Sequence, residues 1–261
     1  MVLRVPCLRP TIPQNIAGQA TPLDSKPRKA AIMGYQFART ATYSRKGTSK
    51  SRAIADVAAE LDRQEGACPH VDQPRDPTVL AGMQPSEIPD EIDRRAREQR
   101  RALRGQLGRG GGIRRDQHIA EGAVFSHPYT VADIEADNDA YATYQAWRDD
   151  TVAWAQREMA ERGLDVLSVV EHHDETHPHI HVVAIPRADA NPKLDARECH
   201  PGAAAKRQAE RASEAKPDQH YRAAMRQWQD AYHRDVAAPH GLTRLGPQRR
   251  RLSRAEWQAE Q

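Results

Sequence analysis

The stretch Glu171–Pro186 reads EHHDETHPHIHVVAIP and holds five of the chain's 12 histidines within ten positions. A compact apolar run, LDVLSVVE (Leu164–Glu171), leads into it, and a second, HIHVVAIP (His179–Pro186), completes it. Short continuous apolar runs bounded by turn residues mark strands buried on both faces, so these two predict an interior hairpin closed by HHDETHP. Pro178 has no N–H to give to a ladder, which suits a position just before the second strand.

The pairing register decides what the histidines can do. His179 and His181 are two apart on a strand and leave the same face. Paired residue numbers in an antiparallel hairpin have a constant sum, so pairing His172 with His179 or His181 puts all three imidazoles on one face. A slip of one residue sends His172 to the other side. Opposed side chains have Cβ atoms about 4.5–5.5 Å apart, close enough for three ring nitrogens to meet one ion at roughly 2.0–2.2 Å. Three neutral imidazoles with open positions make a catalytic rather than a closed structural metal site. Nitrogen donors favour Mn, Co, Ni or Zn over Mg. His173 and His177 fall off this face and read as loop residues.

The rest of the chain limits the setting. Of 261 residues, 38% are hydrophobic and 29% charged, so the core must come from few segments. The net charge is only +3, but nine arginines lie between Arg94 and Arg115, and five more within 244–254. Local basic runs on a nearly neutral chain suit phosphate contacts. Cys7, Cys68 and Cys199 are too few and too scattered for a disulfide framework or a thiolate site, and reduced thiols in the cytoplasm are expected. No signal-peptide core and no apolar run near ~20 residues is present, which predicts neither export nor membrane insertion.

Residues 1–32 show no period and read as a disordered leader, with Met33 as the expected true start. MGYQFARTATYSRKG opens a strand, in which Tyr35 reads as a core or strand residue. Ser51–Asp62 predicts a short helix, EGACPHVDQPRDPTVLAG a turn-rich loop, and Glu87–Leu103 a polar helix ending in the flexible basic linker GQLGRGGG. Ile113–Ser126 predicts a strand and Ala140–Arg162 a helix whose Tyr144, Trp147, Thr151 and Trp154 share a core face. After the hairpin come a loop rich in Ala and charge, then a helix over Asp218–Val236 with Tyr221, Met225, Trp228 and Tyr232 as its core stripe. The expected class is α/β (α+β), a mainly antiparallel sheet covered by helices.

The pattern His172-x-Asp174-Glu175-Thr176-x-Pro178-His179-x-His181, closed by Pro186, resembles the third motif of the plasmid mobilisation/recombination (Mob/Pre, MobV-type) relaxases of the HUH superfamily. MGYQFARTATYSRKG, GACPHVDQP and YRAAMRQWQDAYHRDVAAPHGLTRLGPQRRR resemble further stretches of that family. The resemblance implies a relaxase domain over 33–248, with 249–261 a basic tail at the point where relatives often continue into a helical one. It also implies a sheet carrying His172, His179 and His181 as ligands of Mn²⁺ or Mg²⁺. The activity implied is strand-specific nicking and rejoining of plasmid DNA at the origin of transfer, through a covalent 5′-phosphate intermediate. The implied partners are single-stranded origin DNA, a conjugative coupling protein and accessory DNA-binding proteins. Beside the ion, Glu175 is read as acid/base and Asp174 as the partner that orients a ligand histidine.

One part of the pattern is missing. Family members carry an attacking histidine near the N-terminus in a His-Asn-x-Arg motif, whereas no histidine here precedes His70 and Arg52 stands near the expected place. Tyr43 is the first candidate nucleophile and His70 the second. Arg45, Lys46, Lys50, Arg52, Arg114, Arg115, Arg249, Arg250 and Arg251 are candidate backbone contacts. Without a nucleophile the chain reads instead as a nuclease-inactive origin-binding regulator. A three-histidine hydrolase of small molecules is a further alternative, though the glutamate a cupin carries beyond its His-x-His is absent.

Overall fold

In the computed structural model of the chain, residues 34–48, 51–107 and 113–246 are described. The leader, Met33, Lys50, most of the glycine linker, Arg249–Arg251 and the tail lie outside these residues. The hairpin forms as read. Strand β5 (Leu164–His172) and strand β6 (His179–Pro186) are antiparallel, with His172 opposite His179 and Val170 opposite His181. Each pair sums to 351, the odd register that puts the three histidines on one face.

Three more strands complete the sheet: β2 (Phe37–Ser44), β3 (Thr78–Gly82) and β4 (His118–Ser126), in the order β2-β4-β6-β5-β3 with every pairing antiparallel. The fold is therefore the expected α+β one. The edge strand β3 lies inside the segment read as a turn-rich loop, and it is what makes β5 interior. The two-residue strands β1 (Gly34–Tyr35) and β7 (Leu242–Thr243) pair in parallel apart from the main sheet.

Both faces of the sheet are covered, which explains why β5 and β6 are apolar almost throughout. On one face lie α4 (Asn138–Glu161) and α6 (Pro217–Tyr232), whose Tyr144, Trp147, Trp154, Trp228 and Tyr232 pack on Phe125, Ile180 and Val182. The α4 stripe is core as read. In α6 only Trp228 and Tyr232 are fully buried, while Tyr221 is exposed and stacks on His200. On the other face, α1 (Ile54–Leu61) and α2 (Ile88–Leu107) cover Ile119, Leu167, Val170, Val183 and Ile185. This second core ends where the histidines begin, so one end of that face stays open.

Two short helices remain. Helix α3 (Val131–Ala136) starts at a capping box in which Thr130 and Asp133 exchange hydrogen bonds. Helix α5 (Pro201–Arg211) occupies part of the segment read as a loop and packs on α6, where Gly202 lets the Tyr221 ring approach closely. Among the described residues no helix is long and apolar enough to cross a membrane.

His127 is buried beside Tyr144 and Trp147, with Nδ1 accepting from the Tyr129 amide and Nε2 without a partner. Burial first, with smaller electrostatic contributions from His240 and His177, pushes its pKa down to about 4. The unfolded chain takes up this proton near pH 6.5 and the folded chain only near 4. Stability is therefore full above pH 6.5 and declines as pH falls toward 4. Urea midpoints at pH 7 and pH 4.5 are expected to differ less in His127→Phe than in the wild type, by at most roughly 3 kcal/mol. An unchanged difference would rule this contribution out.

Candidate metal and DNA-processing site

The three histidines meet at the open end of the sheet. Their ring centroids are 5.0–5.3 Å apart, and one nitrogen from each lies within 4.8 Å of the others. Backbone carbonyls set the tautomers. His172 Nε2 donates to the Leu61 carbonyl (2.8 Å), one of the last of α1, which has no partner within the helix. His172 Nδ1 is then left with a lone pair, buried and without a partner. His179 Nδ1 donates to the His177 carbonyl (3.0 Å), which leaves Nε2 as the lone-pair nitrogen. A metal ligand needs this arrangement, with one ring N–H anchored and the other nitrogen free.

Electrostatics keep two of these rings, His172 and His181, neutral. Burial first, then Arg63, lowers the His172 pKa to about 4, while burial and the other two histidines hold His181 well below its ordinary value. The donor set thus fits a divalent ion: three converging imidazoles, one with an orphaned nitrogen, open to a cleft on one side.

The acids of the turn are placed differently from each other. Asp174 was read as the partner orienting a ligand histidine, but backbone carbonyls fill that role. Its buried carboxylate instead takes both prongs of Arg63 (2.7 and 2.8 Å) and the Arg75 amide. Burial pushes the Asp174 pKa up, Arg63 more than offsets this, and the group stays below its usual range. Glu175 faces the cleft, 3.5 Å from His179 Nε2, 3.1 Å from Arg63 and 3.7 Å from His70 Nε2.

Arg63 is the residue that sequence reading missed. It follows the C-cap of α1 in the left-handed region (φ 54°). There its amide donates to Glu60 O and the Gln64 amide to Ala59 O, the pair of bonds that usually calls for glycine. The strain is of order 1 kcal/mol, and it lets one guanidinium lock the hairpin turn to the end of α1. Nothing in the local pattern announces a partner 111 residues away.

A cleft of about 1090 Å³ opens over the site. His70, Asp174, Glu175, His179 and His181 line it, and so do Tyr35, Phe37, Arg39, Val124 and Ser126. Of the two nucleophile candidates, His70 lines the cleft and Tyr43 does not. Tyr43 lies two strands and four residues from His181, roughly 16 Å between Cα atoms. Its ring rests on Gly122, and burial raises its pKa. His173 and His177 do leave the metal face: His173 turns to Tyr144 and Glu171, and His177 is exposed.

The candidate DNA contacts stand elsewhere. Lys46 and Arg52 border a separate hollow at the far end of β2. Arg52 is engaged by Glu60, Arg45 bonds Asp93 and the Ile113 carbonyl, and Arg114 pairs with Asp116. Arg115 is exposed beside Lys46. Lys50 and Arg249–Arg251 lie outside the described residues.

No family model and no curated protein matches the sequence. Solved structures do match the fold. One is the MobM relaxase domain (MOBV, Mob_Pre) bound to plasmid pMV158 oriT DNA with Mn, at TM-score 0.52 and 14% identity. That match covers 87% of this chain and 100% of that one. A second Mn-bound complex of the same domain, with a 3′-thiophosphate oriT strand, aligns at TM-score 0.55 and 14% identity, covering 87% and 98%. The chain has the fold of a MobV relaxase domain. At this identity the likeness concerns the relaxase fold alone, and the three-histidine cluster stands on its own geometry.

Proposed function

We propose that this protein is a plasmid mobilisation relaxase, cutting and rejoining one strand of plasmid DNA at an origin of transfer. The observation that carries the reading is the convergence of His172, His179 and His181 at the mouth of a cleft. The fold is one whose solved examples are described as Mn-bound relaxase domains on oriT DNA. In this reading the scissile phosphate arrives as single strand. The three imidazoles would hold Mn²⁺ or Mg²⁺. When bound, the ion supplies positive charge against the non-bridging phosphate oxygens.

His70 is the attacking group this reading favours, and its place in the cleft supports the choice over Tyr43. Glu60 and Glu175, at 3.8 and 3.7 Å from Nε2, favour the tautomer with the proton there, leaving Nδ1 with the lone pair. Nδ1 attacks phosphorus, the P–O3′ bond breaks, and the departing 3′ oxygen takes up the proton that Nε2 gives up by way of Glu175. The 5′ phosphate remains on His70. Attack by the 3′ hydroxyl reverses each step and reseals the strand. Arg45, Lys46, Lys50, Arg52, Arg114, Arg115 and Arg249–Arg251 would hold more distant backbone phosphates. A coupling protein and accessory DNA-binding proteins complete the proposed partners, in the cytoplasm where plasmid DNA resides.

The test uses the full chain, supercoiled plasmid carrying its cognate origin, and Mn²⁺. Nicked plasmid with protein on the 5′ end is expected, and peptide mapping should find the phosphate on His70. His70→Ala should lower nicking by roughly 10³ or more, while Tyr43→Phe leaves it within a few-fold. Phosphate mapped to Tyr43 would refute the assignment of His70. Origin binding without a nick under any divalent metal would favour the inactive regulator.

A further inference from the structure

The sheet rows that carry the histidines continue onto β2, which holds no metal ligand and whose residues are unusual for a surface. The chain has two phenylalanines. Phe125 is fully buried, whereas Phe37 is 46% exposed and its neighbour Tyr35 51% exposed. Register fixes where they stand. Phe37 pairs with Ser126, Ser126 with His179, and His179 with His172, one straight row across four strands. The next row on that face runs Arg39, Val124, His181, Val170. Phe37 is therefore two strands from His179, about 10 Å between Cα atoms, across a floor of one serine and one valine. Arg39 is exposed and has no ion-pair partner among the described residues. The Tyr35 ring lies against Gly246, where a Cβ would come within 2.7 Å of it.

An exposed ring, an unpaired guanidinium in the next row and a three-nitrogen metal site share one open trough. These are the requirements of a nucleotide strand: an apolar plane for a base, a cation for a phosphate, and a reactive centre for the phosphate beside it. A protein partner would account for the rings but not for their alignment with the histidines. We infer that Phe37, with Tyr35 beside it in the cleft lining, is a stacking platform for bases of the single strand flanking the cut phosphate, with Arg39 holding the adjoining phosphate. The inference rests on the relaxase reading and adds to it where the bases go.

The test is a binding measurement without metal, so it is independent of nicking. Full-length protein in chelator is titrated with a fluorescent oligothymidylate of about 20 nucleotides, and with a strand of equal length made of abasic deoxyribose phosphates. The wild type should prefer the strand with bases. Phe37→Ala should lose about tenfold on oligothymidylate, little on the abasic strand, and keep its salt dependence. Phe37→Trp should retain the preference, and Arg39→Gln should flatten the salt slope by about 0.7 on both strands. Unchanged thermal melting of Phe37→Ala excludes a folding defect. Equal loss on both strands, or no loss, overturns the platform, as does a wild type that ignores the bases. A protein that stacks but never nicks would keep the platform and sink the enzymatic reading. One that nicks with Phe37→Ala binding unchanged would do the reverse.

Discussion

His181→Ala is expected to abolish high-affinity Mn²⁺ binding, and with it metal-dependent nicking, while leaving the fold in place. His181 is one corner of a near-equilateral cluster, 5.3 and 5.0 Å by ring centroid from His172 and His179, and is partly open to the cleft. Removing it leaves two donors on an ion that needs at least three protein ligands in such sites. The loss should exceed the 10- to 100-fold that follows from removing an outer partner of a ligand. Calorimetric Mn²⁺ titration gives affinity, supercoiled-plasmid cleavage gives activity, and circular dichroism checks the fold. His177→Ala, an exposed histidine of the same crowded stretch, should bind metal within about twofold of the wild type. Equal Mn²⁺ affinity in His181→Ala and wild type would dismiss the three-histidine site.

The second large effect is expected at Arg63. Its guanidinium and the Asp174 carboxylate are almost wholly buried, with side-chain exposures of 3% and 0%. Arg63→Leu strands the carboxylate, which typically costs about 3–5 kcal/mol, or on the order of 10 °C in Tm for a chain of this size. Losing Arg63 should also let the Asp174 pKa rise, so the variant recovers part of its stability at acid pH, opposite in sign to the wild type. Arg63→Gly separates two contributions. It relieves the left-handed backbone by about 1 kcal/mol yet removes the clamp, so it should be milder than Arg63→Leu and still clearly destabilising. Scanning calorimetry of the three proteins decides the matter. An Arg63→Gly as stable as the wild type would limit the clamp to the roughly 1 kcal/mol that relieving the backbone returns.

The hairpin was legible because its signals are local. Two apolar runs, a proline at the start of the second and a His-x-His spacing need no knowledge of the rest of the chain. Strand β3 escaped notice because a five-residue edge strand after DQPRDP has little alternation to show, and its partner β5 lies far along the sequence. Helix α5 could have been found. His200 caps it, Pro201 stands at its first turn and Arg211 in its last, but PGAAAKRQAER buries only Gly202 and Ala209 and so lacks an apolar stripe. Within the site, spacing revealed the ligands. The exposure of Phe37 and the reach of Arg63 to Asp174 are set by tertiary packing.

The bond from His172 to the Leu61 carbonyl makes the length of α1 a gauge. No side-chain substitution in the helix can delete that carbonyl, so its sequence is free to drift while the metal centre stays tuned. Adding or removing one residue is another matter. It would turn the helix end by about 100° and move it 1.5 Å along its axis, taking away the acceptor that fixes the tautomer and shifting Arg63 from its partner. In this chain the N-terminal region is answerable to the metal site through its residue count more than through its residue identities.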